Sequence, residues 1–464
     1  MTRAIRQLTC LVFLAVLPGA ALAQDGPAPP SSPPPPAPPA QEKQEARPTG
    51  LPAKITWTFN LDAGWGSFGF ANSLYNNPKE LGVVENLSDQ WFEGYVKPAL
   101  SGTYQFGSSS ELYGKISVVG ERTYGSVPIA FGDDISSFGP EDLSIGWRSG
   151  KSIEKLGENG LDFSIGRQQY RLGHGFLLFD GAAEGGSRGG YWTNARKAFE
   201  LAAIGRFKPG NGTIEAFYLD RDELPESDSG SKLWGLNFEY AIGEDTTLGA
   251  TYMSWSAKES MAPQRDGLDV YNLRAFTAPF PNLKQLSFEL EYALEDNGQL
   301  LDSTAYNALA AWQFEDAWKL KLSYRYAFFE GDDPNTVENE AFDGLFTGFY
   351  DWSTWWQGEI AGGYLISNSN LVSNQLRLSA KPSESISTGL IFFDFKLDQP
   401  LSFDPLVTSS DIGTELDWYM DWTLTDNFIL SFVAAVGEPG KAIEQSNGRT
   451  DTFVYGMIFA AYSF

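Results

Sequence analysis

Cysteine and histidine are almost absent from this 464-residue sequence, which contains one of each. Cys10 precedes a short apolar run at the start of the chain, so the rest of the protein has no thiol. This excludes a disulfide framework, a thiolate metal site and a cysteine nucleophile. The single histidine, His174, lies between two glycines, as a turn residue does, whereas a hydrolase of this architecture would need histidine as a base. The sequence therefore predicts no enzyme, no cofactor and no metal site.

Positive charge and long apolar runs are also scarce. The chain has 33 Lys and Arg against 59 Asp and Glu, which gives a net charge of −26. Nucleic acid is not an expected partner for so acidic a protein. No segment beyond the first residues is long and apolar enough for a spanning helix, but a barrel strand spans with about 10 residues of alternating pattern. Aromatic residues make up 14% of the chain, which suits a β-rich protein with aromatic girdles.

The N-terminal region predicts export. Arg3 and Arg6 precede the apolar run 11–23, which ends in Ala-Leu-Ala, so residues 1–23 are typical of a secretory signal cleaved before Gln24. Cleavage leaves 31 basic and 59 acidic residues, a net charge of −28. The Pro-rich segment 24–53 cannot form a core, and we expect an extended periplasmic tail there that could dock a periplasmic partner.

Residues 54–464 predict a transmembrane antiparallel β-barrel. Apolar residues occupy every second position in segments such as 286–294, 318–328 and 416–424. Short turns alternate with long connections. The long connections are predicted near 69–90, 122–140, 172–197, 221–231 and 330–369. This alternation is typical of outer-membrane barrels, and the strand count is eighteen, the even number that a closed barrel of this kind needs. The segment 355–366 could be a strand, but a strand pair there would disturb the alternation, so it is assigned to the long loop.

The last segment, 452–464, alternates and ends in the aromatic residue Phe464. A C-terminal aromatic after an alternating strand is similar to the signal that the outer-membrane barrel assembly machinery recognises. The expected surroundings are therefore the lipid and lipopolysaccharide of the outer membrane of a Gram-negative bacterium.

The chain resembles the alginate-export porin family. The residues that carry the resemblance are Leu161–Gln168, the run 358–382 that leads into a strand at 386–397, and the stretch 411–417. The resemblance implies an eighteen-stranded barrel. It also implies a pore whose basic residues conduct a polyuronate, with acidic residues in the constriction.

Arg167 and Gln168 match the Gly-Arg-Gln motif of that family, and Arg171 follows closely. Strict alternation would place Arg167 on the same lipid face as Phe163 and Ile165, which is costly for a charge at mid-depth. A β-bulge or a position at the polar rim would resolve this conflict.

Other pore candidates lie opposite the apolar stripes, on positions expected to face the lumen. The basic ones are Lys97, Lys115, Arg206, Arg274, Lys319, Lys321, Arg325 and Arg377. The acidic ones are Glu93, Asp162, Glu200, Glu289, Glu291, Glu415, Asp417 and Asp421. Rings of mixed charge can set selectivity, although a solvated lumen wall needs polar residues in any case.

The long loops offer two further hypotheses. Residues 330–354 carry seven carboxylates and no basic residue, so they could bind divalent cations, although solvated loops are equally polar. The glycine-rich run 185–190 follows no α/β pattern, so we interpret it as part of a loop that folds into the barrel. Arg188 and Arg196 would then face a ligand.

Together these features predict an outer-membrane channel for passive passage of an anionic saccharide or polysaccharide. Two alternatives stay open. One is a general or small-solute uptake porin, and the other is a non-conducting structural or adhesion barrel with cation-binding acidic loops.

Overall fold

The computed structural model describes residues 54–73, 88–106, 110–127, 134–349, 351–352 and 354–464. The signal and the Pro-rich tail predicted for residues 1–53 lie outside the described residues. In the described part of the chain, no helix is long and apolar enough to cross a membrane.

Within the described residues, eighteen antiparallel strands form one closed sheet, as the sequence predicted. Each strand pairs with its neighbours in sequence, and β18 pairs with β1, where Trp65 lies opposite Ala460. The closure leaves no edge, so every strand finds backbone partners inside the bilayer. The strands are β1 (Lys54–Ala71), β2 (Asp89–Phe106), β3 (Ser110–Gly125), β4 (Ser136–Arg148), β5 (Leu161–Gln168), β6 (Phe199–Phe207), β7 (Gly212–Asp220), β8 (Lys232–Ile242), β9 (Thr246–Ser256), β10 (Asp269–Thr277), β11 (Leu286–Asp296), β12 (Asp302–Gln313), β13 (Lys321–Phe329), β14 (Leu371–Ser383), β15 (Ile386–Lys396), β16 (Asp411–Thr425), β17 (Phe428–Pro439) and β18 (Phe453–Ser463).

Alternation along each strand separates a lipid face from a lumen face. On β11, the side chains of Leu290 and Tyr292 are exposed on the outside, whereas Glu291 between them is buried inside. Trp57 on β1 is 68% exposed, which is the expected state of a side chain whose environment is lipid. The outer surface of the barrel is therefore apolar, as a surface that faces the bilayer must be.

Connection lengths mostly alternate around the barrel. At one end most turns are short, as in residues 384–385 and 426–427, and at the other end most connections are longer, up to residues 330–370. The exceptions are the longer connection 149–160 at the first end and the short connection 297–301 at the other. The segment 355–366 lies in this longest connection, as predicted, and contains a π-helix at Gly358–Gly362. β3 continues to Gly125, further than expected, so the connection to β4 is shorter than the predicted 122–140. Further helices occur in the connections, as α-helices at Pro400–Phe403 and Lys441–Asn447 and as 3₁₀-helices at Glu154–Leu156, Gly186–Arg188, Pro263–Arg265 and Gly298–Leu300.

Part of the inner wall is apolar. Phe68 on β1, Trp91 on β2 and Phe459 on β18 point inward and are at most 1% exposed. Phe68 stacks on Trp91 with ring centroids 4.8 Å apart. Residues of the connections 169–198 and 330–370 complete this buried core. The barrel therefore encloses a hydrophobic core of its own, built between the wall and these two connections.

Candidate functional site

Two long connections fold into the barrel and bind each other. We call residues 169–198 the first inner loop and residues 330–370 the second inner loop. The backbone N–H groups of Phe179 and Asp180 donate to the carbonyl of Phe346, at 2.7 and 3.0 Å. Gly348 N–H donates to Gly175 O at 3.0 Å. This short run of backbone pairing joins the two loops into one unit.

A second contact joins the loops at the aromatic core. The Tyr191 hydroxyl donates to Gly363 O at 2.7 Å, and its ring stacks on Tyr364 with centroids 6.2 Å apart. The neighbouring Trp192 packs against Phe68 and Phe459 of the wall, with centroids 5.3 and 5.0 Å apart. The two loops are thus fixed to the wall and to each other, and they narrow the lumen.

Glutamates of three neighbouring strands hold the first inner loop. Glu93 on β2 accepts hydrogen bonds from Trp192 N–H at 2.8 Å and from the backbone and hydroxyl of Thr193. Glu121 on β3 accepts from Ala195 N–H at 2.7 Å. Glu141 on β4 accepts from the N–H groups of residues 197 and 198, at 2.8 and 3.1 Å. A carboxylate that accepts backbone N–H groups makes stronger bonds than a neutral acceptor, so this row fixes the loop firmly.

A bulge on β4 brings Glu141 to the inside. Between Ile116 and Val118 of β3, the pairing register shifts, so Ser117 faces both Glu141 and Asp142. Both carboxylates are buried, and Ser117 Oγ donates to Asp142 at 2.6 Å. The Lys115 ammonium lies 2.9 Å from Asp142. The extra residue lets two consecutive acidic side chains point inward, which strict alternation would forbid.

Glu415 and Asp417 of β16 hold the second inner loop in the same way. Glu415 accepts from the N–H groups of Ile360 and Ala361, at 2.8 and 2.7 Å, and Asp417 accepts from Glu359 N–H at 3.2 Å. Both side chains are 2% exposed. The sequence placed Glu415 and Asp417 among the pore-lining candidates, and this is wrong, because the π-helix of the loop covers both carboxylates.

A third contact that anchors an inner loop lies at the end of the barrel that carries the long connections. Arg265 donates from Nε and Nη2 to both oxygens of Asp343 in the second inner loop, at 2.5 and 2.6 Å. Burial alone would raise the pKa of Asp343, but Arg265 outweighs burial and holds this pKa below its usual value. The ion pair is buried and bidentate, which is the strong arrangement for arginine and carboxylate.

Arg167 faces the lumen because the β5 backbone is irregular at Gly166, opposite a bulge on β6. Gly166 adopts φ of +125°, and a Cβ on Gly166 would lie 2.2 Å from the carbonyl oxygen of Leu143. The register of β5 against β6 shifts between Gly166 and Gln168. Arg167 thereby leaves the lipid face and forms an ion pair with Asp222. The bulge on β6 also turns Glu200 outward, so its predicted lumen position is wrong.

The other arginines of the first inner loop also have partners within the protein. Arg188 lies 3.3 Å from Asp222, the partner of Arg167. Arg196 Nε lies 3.1 Å from Glu121, and its Nη atoms donate to two wall carbonyls. Arg188 and Arg196 are 8% and 4% exposed, so they support the loop and the predicted ligand-facing role is wrong.

Gln168, Arg171, Arg206 and Arg274 lie on the same side of the lumen. Gln168 donates to Ala202 O at 3.1 Å, and the exposed Arg171 places its guanidinium 5.9 Å from the ring centre of Phe179. Arg206 pairs with Glu215 of β7 and remains 33% exposed. Arg274, 4% exposed, donates to Thr251 at 2.8 Å and to Glu239 at 2.7 Å.

Arg325 and Arg377 lie on the neighbouring strands β13 and β14 and contact the second inner loop. Arg377 donates from Nη1 and Nη2 to the two oxygens of Asp351, at 2.9 and 3.3 Å. The Arg325 guanidinium lies over the ring of Trp355, 4.7 Å from its centre. Two of the predicted basic residues therefore converge on one short segment of the loop, 351–355.

Lys97 on β2 donates from its ammonium to Ala195 O of the first inner loop, at 3.2 Å. Two further predicted cations lie at the short-turn end. Lys321 begins β13 and is half-buried on the inner face. Lys319 lies in the turn before it, with φ of +49°, and its ammonium is 2.9 Å from Glu384 of the next turn. The prediction that Lys319 lies on a strand facing the lumen is therefore wrong, because β13 begins two residues later.

Sequence reasoning missed the contribution of the loop itself. Asp351 was counted only as one of seven acidic loop residues, and Glu359 was not singled out. Burial and, to a smaller extent, the nearby Asp417 raise the pKa of Glu359 to about 8, against a lowering hydrogen bond from Trp192. His174 lies in the first inner loop, stacked on Phe276 and 3.3 Å from Glu289. In the described residues, no three acidic or histidine side chains are placed to share a metal ion.

The closed eighteen-stranded barrel with inner loops defines an outer-membrane porin, a channel and not an enzyme. The model of the alginate export family matches residues 151–457, two thirds of the sequence. The chain therefore belongs to the alginate export family. The comparison with curated proteins gave no match.

Solved structures with a similar fold are bacterial outer-membrane porins. OccAB2 of Acinetobacter baumannii is 13% identical with a TM-score of 0.56, and OccK5 (OpdH) of Pseudomonas aeruginosa is 10% identical with a TM-score of 0.55. Each match covers 88% of this chain and 98% of the other. OpdQ of Pseudomonas aeruginosa is 12% identical, with the same coverage and a TM-score of 0.55. At such low identity the similarity shows the barrel fold alone.

Proposed function

We propose that this porin passes an anionic saccharide, and that Arg377, with the buried Arg325 beside it on the next strand, binds its carboxylates at the constriction. The observation that carries the proposal is the bidentate pair between Arg377 and Asp351. The site already holds a carboxylate in the planar geometry that guanidinium groups favour. A uronate presents the same chemical group.

The surroundings of Arg377 keep its guanidinium in place for this role. Its Nη2 atom donates to the Tyr419 hydroxyl at 2.6 Å, and Nη1 donates to Trp352 O at 3.0 Å. Trp352 in turn stacks on Tyr419 and donates from its ring nitrogen to Asp421 at 2.8 Å. A guanidinium fixed in this way loses little rotamer freedom when it binds a solute carboxylate.

Other lumen cations supply a path to this point. Lys115 and Arg206 remain 41% and 33% exposed on the far side of the lumen, and Arg171 is exposed at the end of β5. Each lies near an acidic group or an aromatic ring, so the lumen offers alternating charges rather than a uniform field. Such a lining lets a charged solute bind and leave, since no single site holds it too strongly.

The test is block of single-channel current by uronate oligomers, compared with neutral oligosaccharides of the same length. We expect the uronates to block the wild type, and Arg377→Gln to weaken block by about tenfold, or about 1.4 kcal/mol. Arg148→Gln is the control, because Arg148 pairs with Glu111 at the short-turn end, away from the constriction. Equal block by neutral sugars would favour a general uptake porin, and absence of current would favour a structural barrel. Either result would overturn the proposal.

A further inference from the structure

Asp351 occupies the guanidinium site that the proposed solute needs. Its two oxygens take the bidentate bonds of Arg377, yet its side chain keeps 45% of its surface accessible. Burial would raise the pKa of Asp351, but Arg377, helped by hydrogen bonding and by Arg325, holds this pKa below its usual value. Asp351 is therefore an ionised carboxylate that reaches the lumen and lies against the cation.

The anchors of the second inner loop lie on both sides of Asp351. Asp343 pairs with Arg265 on one side, and the wall carboxylate Glu415 binds the N–H groups of Ile360 and Ala361 on the other. In the first anchor the side chains of Arg265 and Asp343 are 7% and 11% exposed, and in the second Glu415 is 2% exposed. Of the three, the contact between Asp351 and Arg377 is the most accessible. Asp351 can therefore leave Arg377 while both ends of its segment stay attached.

We propose that Asp351 determines the specificity of the constriction by acting as a tethered competitor for Arg377. A group held by a short linker has an effective concentration on the order of millimolar. A solute displaces Asp351 only if it offers an equivalent planar anion, and best if it offers several in series. Neutral sugars cannot replace the ion pair, and chloride, a single atom, cannot form its two parallel hydrogen bonds. The selected class is then a saccharide with repeated carboxylates. The identity of this solute rests on the proposed function, whereas the competition by Asp351 does not.

The experiment compares Asp351→Asn with the wild type in planar bilayers. Reversal potential under a potassium chloride gradient measures the preference for chloride over potassium, and uronate oligomers are then added as blockers. Without the tethered carboxylate, we expect a shift toward chloride and block at about tenfold lower uronate concentration, or about 1.4 kcal/mol. The matched control is Glu338→Gln, which removes one charge from the exposed tip of the same loop and should change neither quantity. Asp351→Glu keeps the charge and should retain the wild-type preference.

The outcomes separate this inference from the proposed function. If Asp351→Asn shifts the reversal potential but uronates block neither protein, Asp351 competes for Arg377 as inferred, and the proposed saccharide substrate is wrong. If uronates block both proteins equally and the reversal potentials agree, the proposed saccharide substrate is supported, and the inference that Asp351 competes for Arg377 is wrong. A misfolded Asp351→Asn variant would not conduct, and in that case Asp351→Ser, which also removes the carboxylate, is measured in its place with the same expectations. A shift to chloride in Asp351→Glu would overturn the inference, because its charge is preserved.

Discussion

Asp417 of the barrel wall accepts the backbone N–H of Glu359 at 3.2 Å, and both side chains are buried within the lumen. Two acidic groups in one buried space repel each other when both are ionised. Glu359 belongs to the π-helix of the second inner loop, whereas Asp417 belongs to β16. This contact therefore couples the protonation of Glu359 to the position of the loop.

The position of the second inner loop is expected to depend on pH through Glu359. Burial, and then the neighbouring Asp417, raise the pKa of Glu359 from 4.5 to about 8. Protonated Glu359 therefore stabilises the inward position of the loop. This stabilisation is fully present below pH 4.5, which is the pKa that Glu359 has when the loop is displaced, and it is lost as pH rises through about 8. Single-channel recordings from about pH 6 to about pH 9 should show larger conductance or more open-state noise at the alkaline end.

Glu359→Gln tests the assignment of this pH effect. Glutamine has a similar shape, stays neutral and can keep the contact with Trp192. We expect the alkaline rise in conductance to disappear in this variant. The neighbouring carboxyl groups that could also titrate are those of Glu415 and Asp417. An unchanged pH profile in Glu359→Gln would assign the effect to these neighbours.

Loss of Glu93 is expected to release the first inner loop. In Glu93→Ala, the N–H groups of Trp192 and Thr193 lose their acceptor while they remain buried. Each unsatisfied group costs about 1–3 kcal/mol. The temperature at which the folded barrel unfolds should fall, and the mean conductance should rise. Glu158→Ala is the control, since Glu158 lies in an exposed turn and its side chain is 65% exposed. Equal stability of the two variants would show that the loop does not depend on this carboxylate.

A side chain at Gly166 is expected to disrupt the irregular backbone that directs Arg167 inward. Gly166→Val forces a branched residue into φ of +125° and places its Cβ against the carbonyl of Leu143. We expect a loss of folded protein, measured by heat-modifiable gel mobility after refolding. Gly120→Ala on β3 should fold normally, because its nearest side-chain atom, on Phe138, would be 3.5 Å away. Normal folding of Gly166→Val would contradict the role of this glycine.

The barrel was predictable from sequence because alternation and turn spacing are local signals. The lipid face of β11 and the loop assignment of 355–366 both follow from such patterns. The irregular backbone at Gly166 and the bulge at Glu141 depend on register between strands, which no local pattern reveals. Glu415 shows the same limit. Its inward direction was correct, but alternation could not show that a loop from a distant part of the chain would cover it.

The reversal potential of the wild-type channel under a salt gradient shows whether the pore prefers anions. Refolded protein in a planar bilayer should conduct and should prefer anions at the constriction, despite the net charge of −26, because the partly accessible Arg377 lies there. Addition of uronate oligomers should then block the current. Preference for cations without block by uronates would contradict the account.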